Sequence, residues 1–310
     1  MRRPGLLLLV LALAAGCGGM ESGDAELRAV ATTTHVADLV GAVGGERVEL
    51  HGILSPDADP HGYQPRPSDA AALAEADVVF ESGGDVDGWL DELVDSAGGD
   101  ARVVSLLDAV RRRGDDPHWW QDPRNAILAV EAVRAGLVGA DPAGRAGYEH
   151  RAAAYVRELR ELDADIERCI GRVPPAKRKL VTTHDSLGYF AARYGIEVIG
   201  AVIPSLSTQA QPSARDVDRL VSQIEDESVE AVFPEAAVSQ RLERAIARES
   251  GAEVGEELWT DSLGPEGSGA ETYVTAMRSN AAALAEGMSG GRVSCFSRKH
   301  SARPSARGPS

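Results

Sequence analysis

Asp-Pro-His occurs twice in this chain, at Asp59-Pro60-His61 and at Asp116-Pro117-His118, although the sequence holds only 7 histidines among 310 residues. Proline fixes its own φ and pushes the residue before it towards extended backbone, so each histidine leaves a loop that is already stiff. An imidazole presented this way needs little ordering to bind a metal ion. A ligating imidazole usually passes its other ring N–H to a carboxylate or carbonyl, and Asp59, Asp116 and Asp185 stand near enough in sequence to serve. His184, in VTTHDSLGYF, and Asp261, in ELWTDSLGPEG, offer a third and a fourth donor of the same kind. Taken singly, each of these reads better as a turn carrying an exposed side chain. The metal reading depends on their meeting.

The elements that would bring them together alternate between β-branched runs and helical periods. In the first half, strands are expected over residues 27–32, 47–54, 77–81 and 101–106, with helices over 36–43, 67–76 and 86–97. A helix opened by Pro123 runs to about Gly139. The second half repeats the pattern, with strands over 179–183, 197–202, 231–234 and 253–256 and helices over 186–194, 214–226, 239–250 and 269–287. Such alternation predicts an α/β fold of two lobes, each a mostly parallel four-stranded sheet flanked by helices. Between them Asp141-Pro142 reads as an N-cap followed by a first helical position. Tyr148, Tyr155, Leu159, Leu162, Ile166 and Cys169 then recur at helical spacing, until Gly171 and Pro174-Pro175 end the run. That helix would span about 40 Å and is best read as a rigid strut joining the lobes.

On this map His61, His118, His184 and Asp261 all fall on loops at strand ends or helix starts, where open α/β sheets collect ligands. His35 follows the first strand and is the next candidate ligand, although its place at a helix start favours a cap or a cleft-lining residue. His51 lies in a strand, His150 on the strut and His300 near the end of the sequence, all read as surface residues. No GxGxxG or GxxxxGK[ST] phosphate loop is present.

The remaining segments divide as residues 1–17, 18–26, 27–140, 141–173, 174–290 and 291–310. Arg2 and Arg3, the apolar run at 6–13 and Ala14-Ala15-Gly16 before Cys17 have the pattern of an export signal. Cys17 in that setting resembles the lipidated cysteine of a bacterial lipobox, with an ordinary secretory signal as the second reading. Residues 18–26 would form a flexible tether and 291–310 a disordered basic tail. With the signal arginines and the last twenty residues set aside, the body carries 25 basic against 48 acidic residues. Such a surface repels nucleic acid and favours cations. Cys169 and Cys295 could pair outside the cytoplasm, which the sequence alone leaves open; a buried thiol on a helix is the other reading of Cys169.

The ordered motifs ADPHGYQPRPSD, DPHWWQDPRNA, KLVTTHDSLGYFAARYG, PSLSTQAQPSARD, VFPEAAVSQRLERAIARESGA and LWTDSLGPEGSGAETYVTAMRSN resemble the zinc/manganese (cluster A-I) solute-binding lipoproteins of metal ABC importers, zinc branch. The resemblance spans roughly residues 27–290. It implies two lobes on one long helix, a single metal held between them by His61, His118, His184 and Asp261, and delivery to a permease and ATPase complex. It also implies a monomer outside the cytoplasm, anchored to the membrane through lipid on Cys17, with no enzymatic activity.

Three imidazoles and one carboxylate suit Zn(II). The manganese branch carries Glu where His184 stands, although a bidentate Asp261 would also admit Mn(II). The His-rich acidic loop of many zinc-branch members is replaced by Arg111–Asp116 (RRRGDD). Two other functions compete. A zinc hydrolase would need an open coordination position and a general base such as that of HExxH, which is absent. A metal-scavenging surface adhesin would share the same cage.

Overall fold

Two parallel β-layers and one long helix organise the molecule, which a computed structural model describes over residues 27–296. The first lobe begins with β1 (Leu27–Ala31), α1 (Thr34–Gly44), β2 (Val48–Gly52), α2 (Pro67–Ala74), β3 (Val78–Glu81), α3 (Leu90–Ala97) and β4 (Arg102–Ser105). Its strands pair in the order β2-β1-β3-β4, all parallel. Every connection therefore crosses over through a helix, and every loop leaving the C-terminal end of a strand opens on one edge. The expected strands are all present, each trimmed by one to three residues.

The strut is preceded by α4 (Pro123–Ala140), whose N-cap Asp122 accepts from Arg124 N. Asp141 then accepts from Ala143 N and Gly144 N, but the turn it caps is a short 3-10 turn at Pro142–Gly144. The strut itself, α5, therefore starts at Arg145, not at Pro142, and runs to Gly171. Its buried stripe comprises Tyr148, Ala152, Val156, Leu159, Leu162, Ile166, Cys169 and Ile170. At 1.5 Å per residue it is about 40 Å long. Polar contacts fasten it along its length. Arg151 donates to Val43 O and Gly44 O at the C-terminus of α1, a favourable place for a cation. Tyr155 Oη donates to Asp38 at 2.8 Å, and Asp163 accepts from Arg193 and Tyr194 of the second lobe.

The second lobe contains β5 (Lys179–His184), α6 (Gly188–Tyr194), β6 (Glu197–Ile203), α7 (Ala214–Asp226), β7 (Ala231–Val232), α8 (Arg241–Ser250), β8 (Glu253–Val254) and α9 (Tyr273–Met288). Its four strands form two parallel pairs, β5-β6 and β7-β8, joined through the parallel bridge Thr182–Phe233. Here β7 and β8 are shorter than expected, because Pro234 ends the ladder at β7 by supplying no N–H. Helices α6 and α9 also start later than expected, the latter behind its N-cap Thr272.

One core cluster runs through both lobes. It joins Val36, Leu39 and Val40 of α1, the stripe of α5, and Met277, Ala281 and Leu284 of α9. The lobes thus share apolar packing as well as the strut.

The chain end departs from the expected tail. Cys295 forms a disulfide with Cys169, Val293 is buried, and Arg172 donates to Ser294 O. Residues 291–296 are therefore part of the packed structure, with Val293, Cys295 and Phe296 packing on the core. Cys17 with its lipidation, the tether at 18–26, residues 297–310 and His300 lie outside the described residues. No helix among the described residues is long and apolar enough to cross a membrane.

Candidate metal centre

The two Asp-Pro-His steps fold in the same way. Asp59 Oδ1 accepts from His61 N and Asp116 Oδ1 from His118 N, each at 3.0 Å, so the carboxylate closes a turn over the intervening proline. Proline has no N–H to compete for that oxygen, and the histidine side chain is thrown outward from a fixed base. His61 lies in the loop after β2, and His118 heads the 3-10 turn Trp119–Gln121 that leads into α4. His184 is the last residue of β5, and Asp261 lies between β8 and α9.

These four side chains meet. One donor atom from each of His61, His118, His184 and Asp261 lies within 4.8 Å of all the others. His61 Nε2 is 3.3 Å and His184 Nε2 3.1 Å from Asp261 Oδ2, while His118 Nε2 is 3.6 Å from Asp261 Oδ1. The Nε2 atoms of His118 and His184 are 3.4 Å apart. With metal–nitrogen bonds of about 2.0–2.1 Å, the edge of a tetrahedral cage is about 3.3 Å, so these spacings are those of donors around a common centre. The side chains are 0–7 % exposed. His61 Nε2 and Asp261 Oδ1 are buried without a hydrogen-bond partner among the described residues, a costly state for polar atoms that a cation would relieve.

Their other ring atoms are held in turn. His118 Nδ1 donates to Asp116 Oδ1 at 2.8 Å, leaving Nε2 with its lone pair facing the cage. His184 Nδ1 is 2.6 Å from Glu235 Oε2, and Glu235 Oε1 accepts from His184 N. Glu235 Oε2 also accepts from Thr260 Oγ1, directly beside Asp261, at 2.8 Å. Burial would depress the His184 imidazolium, but the Glu235 and Asp261 carboxylates outweigh it and hold its pKa well above the ordinary value. Burial likewise opposes ionisation of Asp261, yet the imidazoles of His184, His61 and His118 keep its carboxyl well below the usual range.

The supporting residues expected from sequence fare differently. Asp116 holds the His118 ring. Asp59 orients only the backbone of its histidine, with its second oxygen accepting from Thr208 Oγ1 at 2.7 Å. Asp185 does not support His184; its N–H donates to Ser205 O, because the residue after a strand end points away from its neighbour. Glu235 takes that place, coming from the loop after β7. Its signal in the sequence was a lone acidic residue in VFPEAAV, shortly after a strand.

His35 is not among the four converging donors. Thr33, not His35, caps α1. The His35 ring stacks on Trp120 with centroids 5.1 Å apart and meets the edge of Tyr273. Burial, helped by His118 and opposed by Asp261, lowers its pKa to about 3, so it is a neutral ring in the cleft wall. His51 and His150 are exposed, as expected.

Comparison with known proteins places this geometry in company. The family model described as ZnuA, zinc-uptake complex component A, periplasmic, matches residues 29–287. The manganese-binding lipoprotein MntA of Halalkalibacterium halodurans is 32% identical over 294 residues, covering 92% of this chain and 97% of that protein. The manganese ABC transporter substrate-binding lipoprotein PsaA of Streptococcus pneumoniae is 28% identical over 300 residues, covering 91% and 95%. Among solved structures, the periplasmic zinc-binding protein TroA of Treponema pallidum superposes with a TM-score of 0.79 at 27% identity, over 85% of this chain and 99% of that one. A manganese-bound periplasmic protein of Candidatus Liberibacter asiaticus, at 21% identity and a TM-score of 0.78, shares the fold.

Proposed function

The chain belongs to the ZnuA family of metal-binding ABC-transporter substrate-binding proteins, and we propose that His61, His118, His184 and Asp261 hold its cargo ion between the lobes. The protein is a carrier and not an enzyme. The observation that carries the ligand assignment is the convergence of the four donor atoms within 4.8 Å, two of them buried and unpaired. Permease and ATPase partners follow from the transporter family. A lipid anchor on Cys17, supported by the lipoprotein names of relatives, belongs to the same proposal, as do a monomeric state and lobe limits of 27–140 and 174–290.

We favour Zn(II) as the cargo. Three imidazole nitrogens and one carboxylate at near-tetrahedral spacing suit it, and a site of this type ranks Zn(II) above Mn(II) in affinity. A second reading, Mn(II), has its own support. Both oxygens of Asp261 face histidines, Oδ2 towards His61 and His184 and Oδ1 towards His118, so a fifth donor is at hand. MntA and PsaA are also named for manganese, whereas TroA is named for zinc. Competitive Zn(II)/Mn(II) titration, with metal analysis of protein purified from cells supplied with both, decides between them. Mn(II) retained in the presence of equimolar Zn(II) would overturn the zinc reading. Failure to bind either metal would overturn the function.

A further inference from the structure

Asp261 follows β8 of the second lobe, yet its loop is gripped by both lobes, and the grip changes hands at Thr260. Before that residue the contacts are to the second lobe: Leu258 N donates to Pro234 O and Trp259 N to Asn280 Oδ1. At Thr260 the hydroxyl goes to Glu235 of the second lobe, whereas the carbonyl accepts from two first-lobe side chains. Trp120 Nε1 donates to it at 2.7 Å and Gln121 Nε2 at 2.8 Å. Beyond Asp261 the backbone is tied to the first lobe, Leu263 N donating to Thr34 Oγ1 and Asp57 N to Leu263 O, while the Leu263 side chain packs with Ala270 and with Ala276 of α9.

We propose that Gln121 and Trp120 are positioning residues for metal capture, fixing the Asp261 carboxylate from the opposite lobe through the Thr260 carbonyl. Both are at most 1 % exposed, and they lie two and three residues after His118, so one short turn sets a ligand of its own lobe and the orientation of a ligand from the other. The Gln121 amide must present its nitrogen to the carbonyl, since the reverse orientation would oppose two acceptors. Its Oε1 is buried without a partner among the described residues. A side chain kept at that cost is held for its donor. Trp120 is steadied in turn by the stack with His35, which gives that buried ring a task. The consequence is that Asp261 is held in register with His61 and His118 as well as with His184.

The inference rests on Asp261 being a ligand, and the test separates the two. Gln121→Met fills the same space without a donor. In the full mature protein we expect it to weaken Zn(II) binding roughly tenfold by competition titration and to alter the intensity of the visible bands of the Co(II)-substituted protein. In an Asp261→Asn background the same substitution should cost less than about twofold, because its effect passes through that carboxylate. An equal loss in both backgrounds, or no loss in either, would overturn the positioning role. If Asp261→Asn alone leaves affinity unchanged, the ligand assignment falls and the positioning role with it. Trp120→Phe, which keeps the ring and drops the donor, carries the same test should Gln121→Met lower the melting temperature of the metal-free protein enough to prevent the titration.

Discussion

The two lobes bring two donors each to the cage, but they hold them by different means. In the first lobe the backbone of His61, and both the backbone and the ring of His118, are fixed within three residues by the carboxylate that lies two positions back. In the second, His184 depends on Glu235, which is 51 residues further along, and the Asp261 loop on side chains 139 and 140 residues from Thr260. Local wiring costs little chain entropy and survives small shifts of the surrounding fold. Remote wiring exists only once the lobe, and its contact with the other lobe, is complete. The first lobe is thus a prepared face, and the second completes the site as it settles.

The largest effect should come from removing a donor on either side. A four-donor zinc site distributes about 10–16 kcal/mol of binding energy, so His118→Ala and His184→Ala should each weaken Zn(II) binding roughly a thousandfold. A variant that still binds normally in competition titration would take its lobe out of the cage. The next effect separates the lobes. Glu235→Gln disturbs the His184 ring, the His184 backbone and Thr260 together, and should cost roughly a hundredfold, whereas Asp116→Asn should cost about tenfold. Equal losses in the same titration would break the comparison.

Acid gives a third, gentler test. Because Glu235 and Asp261 hold the His184 proton to unusually high pH, that proton competes with the metal, and affinity should rise as pH is raised. Glu235→Gln weakens the hold on the proton, so the pH dependence of binding should move to lower pH. The smallest effect concerns the base of the strut. Arg47 first, then Tyr148 and Gly144 N, outweigh burial to hold the Asp141 carboxyl down at about 2. A carboxyl lowered on folding stabilises fully above its unfolded value and loses that contribution as pH falls towards the folded one. Asp141→Asn should therefore flatten the fall in melting temperature between about pH 4 and 2, slightly, since the pair is partly exposed.

What could be read along the chain divides on the same line. Asp116 was recognisable as a support for His118 because its partner is two residues away. Glu235 was not, since nothing near it in sequence names His184. Parallel strands and the strut were legible from period and punctuation, as was the placing of the four candidate donors on loops after strands or before helices. The brevity of β7 and β8 follows from Pro234 and from bridging across the sheet, which no local pattern reports. His35, a polar residue in the first turn of α1, reads as a cap or as a cleft-lining residue, and packing against Trp120 and Tyr273 selects the second. At Cys295 the limit was pairing itself, because two isolated cysteines carry no geometry.

That last bond has a topological result. Cys169 and Cys295 are separated by 126 residues, and the span between them contains every strand and helix from β5 to α9. The second lobe is therefore a covalent ring, while the first hangs from it as an open chain. A protease that nicks a second-lobe loop leaves the pieces joined until a reductant is added. The same cut in the first lobe frees a fragment at once. The half of the cage that depends on distant partners is the half whose pieces cannot drift apart.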